Sequence, residues 1–184
     1  MGGIVSLLDE RATEKILAVR QRLDEELGVQ TPFRNHYPHF SYQVAARYDA
    51  EQLSEAIDGL ASGRDPFVVR TNGIGVFSDS EPLIVYVPVI RDADLSRFHS
   101  RVWDEGKSAG TDLQDYYSPR RWTPHITLAP VDRAKLPSVM ELLSEYSFYW
   151  DVQIENVAAI TGDAPHRKVE HRTPLGGDAG SAQG

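Results

Sequence analysis

The chain contains no cysteine among its 184 residues. This absence excludes disulfide bonds, zinc sites built on thiolates and catalysis by a cysteine nucleophile. A sequence without cysteine suits a reducing compartment, so we expect a cytoplasmic protein. Any catalytic chemistry must come from other side chains.

Basic residues are also scarce, with 19 Lys and Arg against 27 Asp and Glu, which gives a net charge of −8. Proteins that bind long duplex nucleic acids normally present a basic face. The charge balance therefore argues against a long duplex partner, while a small anion held by a few local donors remains compatible with it.

We expect the protein to be a monomer.

Long hydrophobic runs are missing as well. The longest run, residues 83–90, contains Pro88 and is far too short to span a bilayer. The start of the chain lacks the cationic region of a signal peptide. Its first six residues match a minimal myristoylation pattern, but residues 4–8 are better interpreted as a buried strand. We therefore expect no membrane association.

The length of the chain suits a single domain. We expect this domain to occupy residues 1–175. Residues 176–184 are rich in Gly, Ser and Ala, which predicts a disordered tail.

Hydrophobic periodicity predicts the element order β-α-β-α-β-β-α-β-α-β-β. A first helix should begin after Asp9 as its N-cap and end at Gly28. The succession of strand, helix, strand and helix occurs once in each half, which indicates a mixed α+β protein with two similar lobes. The other predicted elements are strands at 39–48, 66–74, 83–90, 125–129, 148–161 and 168–175, helices at about 50–62, 92–109 and 132–146, a turn at 72–77 and a loop at 110–124.

One short pattern occurs twice, once in each half. Residues 38–42 read Pro-His-Phe-Ser-Tyr and residues 124–128 read Pro-His-Ile-Thr-Leu. On a strand, residues i and i+2 share a face, so His39 lies beside Ser41 and His125 beside Thr127. An imidazole can exchange a proton near neutral pH, and a hydroxyl can donate to a phosphate oxygen. Two such pairs facing each other supply a base, an acid and two donors for in-line attack on a phosphodiester without a metal.

Two alternatives compete with this interpretation. A histidine on a strand is often purely structural, although the proline before each copy and the duplicated element order favour function. His36 and His39 could also bind a metal from a loop, but the sequence has no H-x-H or H-E-x-x-H pattern to support such a site. The remaining histidines, His99, His166 and His171, are not assigned to chemistry.

The segment 116–122 combines aromatic and basic residues. Tyr117 and Trp122 could stack on a nucleobase, and Arg121 or Arg120 could attract phosphate. A surface loop packed through its aromatic rings explains the same composition equally well. We retain Tyr117, Arg121 and Trp122 as candidate substrate-binding residues.

The paired His-x-Ser and His-x-Thr strands resemble the signature of the 2H phosphoesterase superfamily, which includes RNA 2′,3′-cyclic phosphodiesterases once named 2′-5′ RNA ligases. Residues 122–128 (Trp-Thr-Pro-His-Ile-Thr-Leu) are similar to the second motif of that family. Residues 38–41 are a variant of its first motif with serine in place of threonine. The resemblance covers residues 3–175 and includes the segment 75–77 between two strands. The chain departs from the family at 129–131, Ala-Pro-Val, where many relatives carry a basic residue.

The resemblance implies a bilobal, pseudo-twofold α+β fold with two largely antiparallel sheets around a central groove and helices outside. It further implies metal-independent hydrolysis of 2′,3′-cyclic or 2′-5′ phosphodiester bonds in nucleotides or short RNA, with no cofactor. His39 and His125 would be the acid–base pair, with the two roles unassigned, and Ser41 and Thr127 would bind the phosphate. Two alternatives stay open: end-joining of RNA by the same site, and a nucleotide- or RNA-binding module with little catalysis.

Overall fold

The computed structural model describes residues 1–30, 37–162 and 167–176, and within these ranges the chain forms four α-helices and ten strands. Helices α1 to α4 span Glu10–Leu27, Ala50–Ala61, Ala93–Gly106 and Leu136–Leu143. Strands β1 to β10 span Gly2–Leu7, His39–Tyr48, Phe67–Arg70, Gly75–Phe77, Leu83–Pro88, Gly110–Leu113, His125–Val131, Asp151–Ile154, Asn156–Thr161 and Lys168–Pro174.

Helix α1 begins and ends at the residues that the sequence predicts. The carboxylate of Asp9 accepts a hydrogen bond from the backbone N–H of Ala12 at 2.7 Å, which satisfies one of the free donors of the first turn. Gly28 follows the helix with φ 58°, a left-handed conformation that glycine adopts without a steric penalty. Its N–H donates to the carbonyl of Asp24 at 2.9 Å.

The two motif strands lie side by side near the middle of the main sheet. Eight of the described strands form this sheet in the order β10-β9-β1-β2-β7-β5-β4, with β6 paired to the far part of β2. Strands β3 and β8 form a separate two-stranded sheet. All of these pairings are antiparallel. The predicted mixed α+β class is confirmed.

Each half of the chain contributes a helix that packs on a motif strand of the other half. Helix α1 lies against β7 and α4, whereas α3 lies against β2 and α2. Under these helices the apolar motif residues Phe40, Tyr42, Ile126 and Leu128 are completely buried. Because strand residues alternate between faces, the histidines and hydroxyl residues of both motifs point away from this core.

Two short strands differ from the sequence prediction. Residues 75–77, predicted as a turn, form β4 and pair with β5. Residues 110–113, predicted as a loop, form β6 and pair with the end of β2. Neither segment alternates in hydrophobicity. Both pair because an existing strand edge offers backbone partners, so tertiary context prevails over local propensity.

The predicted strand 148–161 is two strands that belong to different sheets. Strand β8 pairs with β3, while β9 lies between β1 and β10. The local sequence pattern does not reveal such a change of partner, because it depends on which strand edges the two segments meet in the fold.

Within the described ranges, no helix is both long enough and apolar enough to cross a membrane. Residues 31–36, 163–166 and 177–184 lie outside the described part of the chain. The predicted tail falls mainly in the last of these ranges, and His36 and His166 fall in the other two.

Candidate active site

The two motifs meet at one backbone pair. Phe40 of β2 pairs with Ile126 of β7, and each of these residues stands between the histidine and the hydroxyl residue of its motif. Antiparallel pairing therefore sets Ser41 opposite His125 and His39 opposite Thr127. The four side chains line one cavity of about 470 Å³, including its open mouth, together with Arg20, Tyr37, Tyr117 and Arg167.

Both histidines are oriented in the same way. The Nδ1–H of His39 donates to the carbonyl of Tyr37 at 2.9 Å, and that of His125 donates to the carbonyl of Thr123 at 2.8 Å. A carbonyl oxygen can only accept, so each neutral ring carries its proton on Nδ1. The Nε2 atom of each ring is then the nitrogen that can take a proton from a ligand.

Both rings are neutral in the ligand-free protein at neutral pH. Burial, with a smaller contribution from the nearby charges of Arg167 and Arg20, lowers the pKa of His39 to about 4 against the opposing effect of the Tyr37 carbonyl. Burial also lowers the pKa of His125, against the opposing effect of the Thr123 carbonyl. Each shift arises because a charged imidazolium loses its hydration in this cavity.

The surroundings of the two histidines differ. The ring of His125 makes edge contacts with Phe77, at 4.9 Å between centroids, and with Tyr86, at 5.3 Å. Phe77 and Tyr86 stack on each other at 4.1 Å, and Tyr116 extends this aromatic cluster. On the other side, two arginines are the charged neighbours of His39. His125 thus has an aromatic flank, formed by residues outside the cavity lining, whereas His39 lies near two arginines of the lining.

Arg20 is a site residue that the motif search did not find. It is only 8% exposed and donates from Nη2 to the carbonyl of Thr127 at 2.7 Å and from Nε to that of Leu128 at 3.2 Å. Its Nη1 is buried and makes no hydrogen bond. Burial lowers its pKa to about 10, which leaves the guanidinium charged at neutral pH. The sequence carries a signal for it, since Arg20 interrupts the apolar stripe of α1 formed by Ile16, Val19 and Leu23.

The three candidate substrate-binding residues of the 116–122 segment lie in different places. Tyr117 lines the cavity. Arg121 is exposed and forms an ion pair with Asp115 at 2.8 Å, and it is not one of the cavity-lining residues. Trp122 is only 3% exposed, and its indole Nε1–H donates to the carbonyl of Ser41 at 2.8 Å. Its location therefore supports contact with the motif backbone rather than with a ligand.

Of the three histidines that the sequence leaves without a chemical role, His99 and His171 lie away from the cavity lining, and His166 lies outside the described part of the chain. His99 is completely buried and donates from Nε2 to the carbonyls of Tyr42 and Tyr117. His171 bonds through Nε2 to the carboxylate of Asp58 at 2.8 Å. In the part of the chain that the structure describes, no three His, Cys, Asp or Glu residues cluster as they would around a metal ion. The alternative metal site at His36 and His39 involves a residue outside that part.

Comparison with known proteins gives a consistent result. The family model of the 2′-5′ RNA ligase superfamily matches residues 8–165. The structure of TT0787 of Thermus thermophilus is similar with a TM-score of 0.68 and 15% identity, covering 95% of this chain and 97% of that one. E. coli LigT complexed with 3′-AMP gives 0.66 and 14%, covering 96% and 98%. LigT complexed with NADP+ gives 0.63 and 16%, covering 95% and 96%. No curated protein sequence matches the chain significantly.

Proposed function

The chain belongs to the 2′-5′ RNA ligase superfamily, and on this premise we propose that it is a phosphodiesterase that hydrolyses 2′,3′-cyclic phosphate or 2′-5′ phosphodiester bonds in nucleotides or short RNA. The observation that carries the proposal is the Phe40–Ile126 pair, which sets two His–hydroxyl pairs around one cavity. One histidine acts as the base and the other as the acid. Ser41 and Thr127 bind the phosphate.

For a 2′,3′-cyclic phosphate the step is a single displacement at phosphorus. The neutral Nε2 of one histidine removes a proton from water while the water oxygen forms a bond to phosphorus. The bond from phosphorus to one ribose oxygen breaks, and the protonated Nε2 of the second histidine gives its proton to that oxygen. The product is a phosphate monoester beside a free hydroxyl, and the two histidines have exchanged protonation states. None of these transfers requires a metal.

The acid must acquire its proton when the substrate binds, because both rings are neutral in the free protein. A phosphodiester anion placed between them favours the imidazolium form and raises the pKa of the nearer histidine. Substrate binding at neutral pH is therefore coupled to the uptake of about one proton.

Arg20 supports the developing charge on the phosphate. Its guanidinium is fixed by two bonds to the backbone of the second motif, and one N–H group is left without a partner. A preorganised donor of this kind stabilises transition-state charge without reorganising during the reaction. In a chain with a net charge of −8, Arg20 and Arg167 supply positive charge at the cavity lining. Arg20 thus supplies the positive charge that many relatives obtain from a basic residue after the second motif.

A nucleotide as ligand agrees with the relatives. Solved structures of LigT contain 3′-AMP, NADP+ or ATP. For this chain the proposed occupant is the cyclic or 2′-5′ phosphate of a nucleotide or an RNA end, because the cavity offers groups for one phosphate and aromatic rings beside it.

The test is to incubate the protein with nucleoside 2′,3′-cyclic phosphates and with 2′-5′ dinucleotides in EDTA, and to identify the products by chromatography. We expect monoester products at a rate that rises with enzyme concentration. Binding without product after long incubation would contradict the proposal and favour a binding module.

Joining of RNA ends uses the same displacement with a 5′-hydroxyl in place of water: the 5′ oxygen forms the bond to phosphorus, its proton passes to the basic histidine, and the same ribose oxygen leaves and takes the proton of the acidic histidine. RNA fragments with cyclic phosphate and 5′-hydroxyl ends separate the two activities on a gel. The proposal predicts opened cyclic ends. Products longer than the starting fragments would indicate ligase activity instead.

A further inference from the structure

Two consecutive carbonyls of the first motif strand are held by a stacked pair of rings. The indole of Trp122 donates to the carbonyl of Ser41 at 2.8 Å, and the imidazole of His99 donates to the carbonyl of Tyr42 at 3.0 Å. The two rings stack with centroids 3.7 Å apart and an angle of 5° between their planes. Trp122 is 3% exposed and His99 is completely buried, so both rings belong to the interior and not to the surface.

A β-bulge explains why one pair of rings can reach both carbonyls. Strand β1 pairs Ile4 with Gln43 and Val5 with Ser41, so Tyr42 has no partner on β1. In a regular strand successive carbonyls point to opposite edges, but an extra residue in a bulge turns the backbone locally. The backbone just after His39 therefore depends on Trp122 and His99 for bonds that a strand partner would normally supply.

This region is also where the two motif strands separate. Within the described residues, β2 and β7 share only the Phe40–Ile126 pair. One residue further along β2, the carbonyl of Ser41 is bonded by the Trp122 side chain rather than by the backbone of β7. The indole thus fills the gap between the strands at the point where Ser41 faces His125 across the cavity.

Trp122 also stands next to the residue that orients the second histidine. The carbonyl of Thr123 accepts the Nδ1–H bond of His125. Two hydrogen bonds and the backbone of residues 122–123 therefore connect the Ser41 carbonyl, through the indole, to the ring of His125. Arg91 holds the carbonyl of Trp122 itself at 3.1 Å.

We propose that Trp122, backed by the stacked ring of His99, is a positioning residue that sets the distance and orientation between Ser41 and His125 across the catalytic cavity. The catalytic consequence rests on the proposed phosphodiesterase function. The structural consequence does not, since the indole joins the two motifs whatever the reaction. Burial lowers the pKa of His99 to about 4, so its ring stays neutral and the support is unchanged across the physiological pH range.

The test compares Trp122→Phe with Trp150→Phe. Trp150 is 8% exposed and its indole N–H donates to the carbonyl of Ser147 at 2.7 Å, so the control removes the same kind of bond outside the cavity lining. We expect Trp122→Phe to lower kcat by about 10- to 100-fold with little change in KM, because a small misplacement of catalytic groups costs this much. Trp150→Phe should lose stability but retain kcat. Equal kcat values in the two variants would overturn the proposal.

A second measurement is independent of activity. The ring resonances of His39 and His125 in NMR spectra should shift in Trp122→Phe and stay at their wild-type positions in Trp150→Phe. If wild-type protein shows no turnover, the proposed function fails while this comparison still judges the role of Trp122. Unshifted resonances in Trp122→Phe would overturn that role. If Trp122→Phe does not fold, benzothienylalanine at position 122 keeps the shape of the indole and removes its N–H donor, with the same expected results.

Discussion

Phe40 and Ile126 pair with each other at the junction of the two motif strands, and each lies one residue away from both polar members of its own motif. Both side chains are completely buried in the core. In the described part of the chain, this one pair therefore joins β2 to β7 and fixes which polar groups face each other. Because side chains alternate along a strand, a shift of one motif strand by one residue would turn the two polar groups of that strand into the core.

The pH dependence should place the activity optimum on the acid side. The reacting complex needs one protonated and one neutral histidine, and in the free protein both pKa values lie below the ordinary value of 6.5, with that of His39 at about 4. The singly protonated form is therefore lost as the pH rises through the higher of the two values. We expect both limbs of the kcat/KM profile below about pH 6.5.

The limbs of the kcat profile should lie at higher pH than those of kcat/KM, because the bound phosphate anion favours the imidazolium. Initial rates measured across the acidic, neutral and mildly alkaline range at constant ionic strength would give both profiles. A kcat/KM profile centred above neutral pH would contradict the burial effect on the two rings.

Arg20 should be needed for anion binding and for turnover. Arg20→Lys keeps the positive charge but loses the planar fork, so it cannot both hold the carbonyls of the second motif and reach the phosphate. We expect kcat/KM to fall by about 100- to 1,000-fold, the range seen when a preorganised donor is removed. Calorimetric titration with inorganic phosphate should show weaker binding.

Arg22→Lys is the matched control for this change. Arg22 lies on the same helix but forms surface ion pairs with Glu26 and Glu145 instead of lining the cavity. Its replacement should leave phosphate affinity and kcat/KM close to wild type. Equal phosphate affinity and equal kcat/KM in the two variants would show that Arg20 does not act on the phosphate.

Gly75 should be required for the aromatic flank of His125. A Cβ atom at this position would lie 2.2 Å from the ring of Tyr86, so alanine there must displace that ring and the stacked Phe77. We expect Gly75→Ala to lower kcat and to destabilise the fold by about 1–3 kcal/mol, as overpacking does.

Gly59→Ala provides the comparison for Gly75→Ala. Gly59 lies within α2, and the nearest atom to an added Cβ is at 3.7 Å, an ordinary contact. Alanine at this position should leave kcat unchanged and leave the melting temperature equal or higher, because alanine is the better helix former. A Gly75→Ala variant that matches it in kcat would show that the aromatic flank does not influence the site.

The sequence alone was sufficient for the fold class and for the proximity of the two motifs. Alternation of apolar and polar residues is a local property, and the strand predicted at residues 39–48 has the observed bounds. The duplication then indicated that His39 and His125 face a common cavity. The strand inference succeeded because alternation depends on near neighbours along the chain, whereas the proximity of His39 and His125 follows from the duplicated order of elements.

Arg20 and the role of Trp122 could not be obtained in this way. Whether a charged residue on the inner stripe of a helix reaches a cavity depends on where that helix packs, and α1 packs across the strand of the second motif. The sequence predicts Trp122 as a candidate for stacking on a base, and packing of the loop through its aromatic rings explains the same residues equally well. Its burial and its bond to Ser41 depend on a bulge in a distant strand.

The most direct test of the account measures turnover of a nucleoside 2′,3′-cyclic phosphate in EDTA by wild-type protein and by His39→Ala, His125→Ala and His171→Ala. His171 is the control, since it bonds to Asp58 and does not line the cavity. We predict full activity in EDTA for wild type and His171→Ala, and losses in kcat of about 10²- to 10⁴-fold for each of the other two variants. Full activity in His125→Ala, or loss of wild-type activity on chelation, would contradict the account.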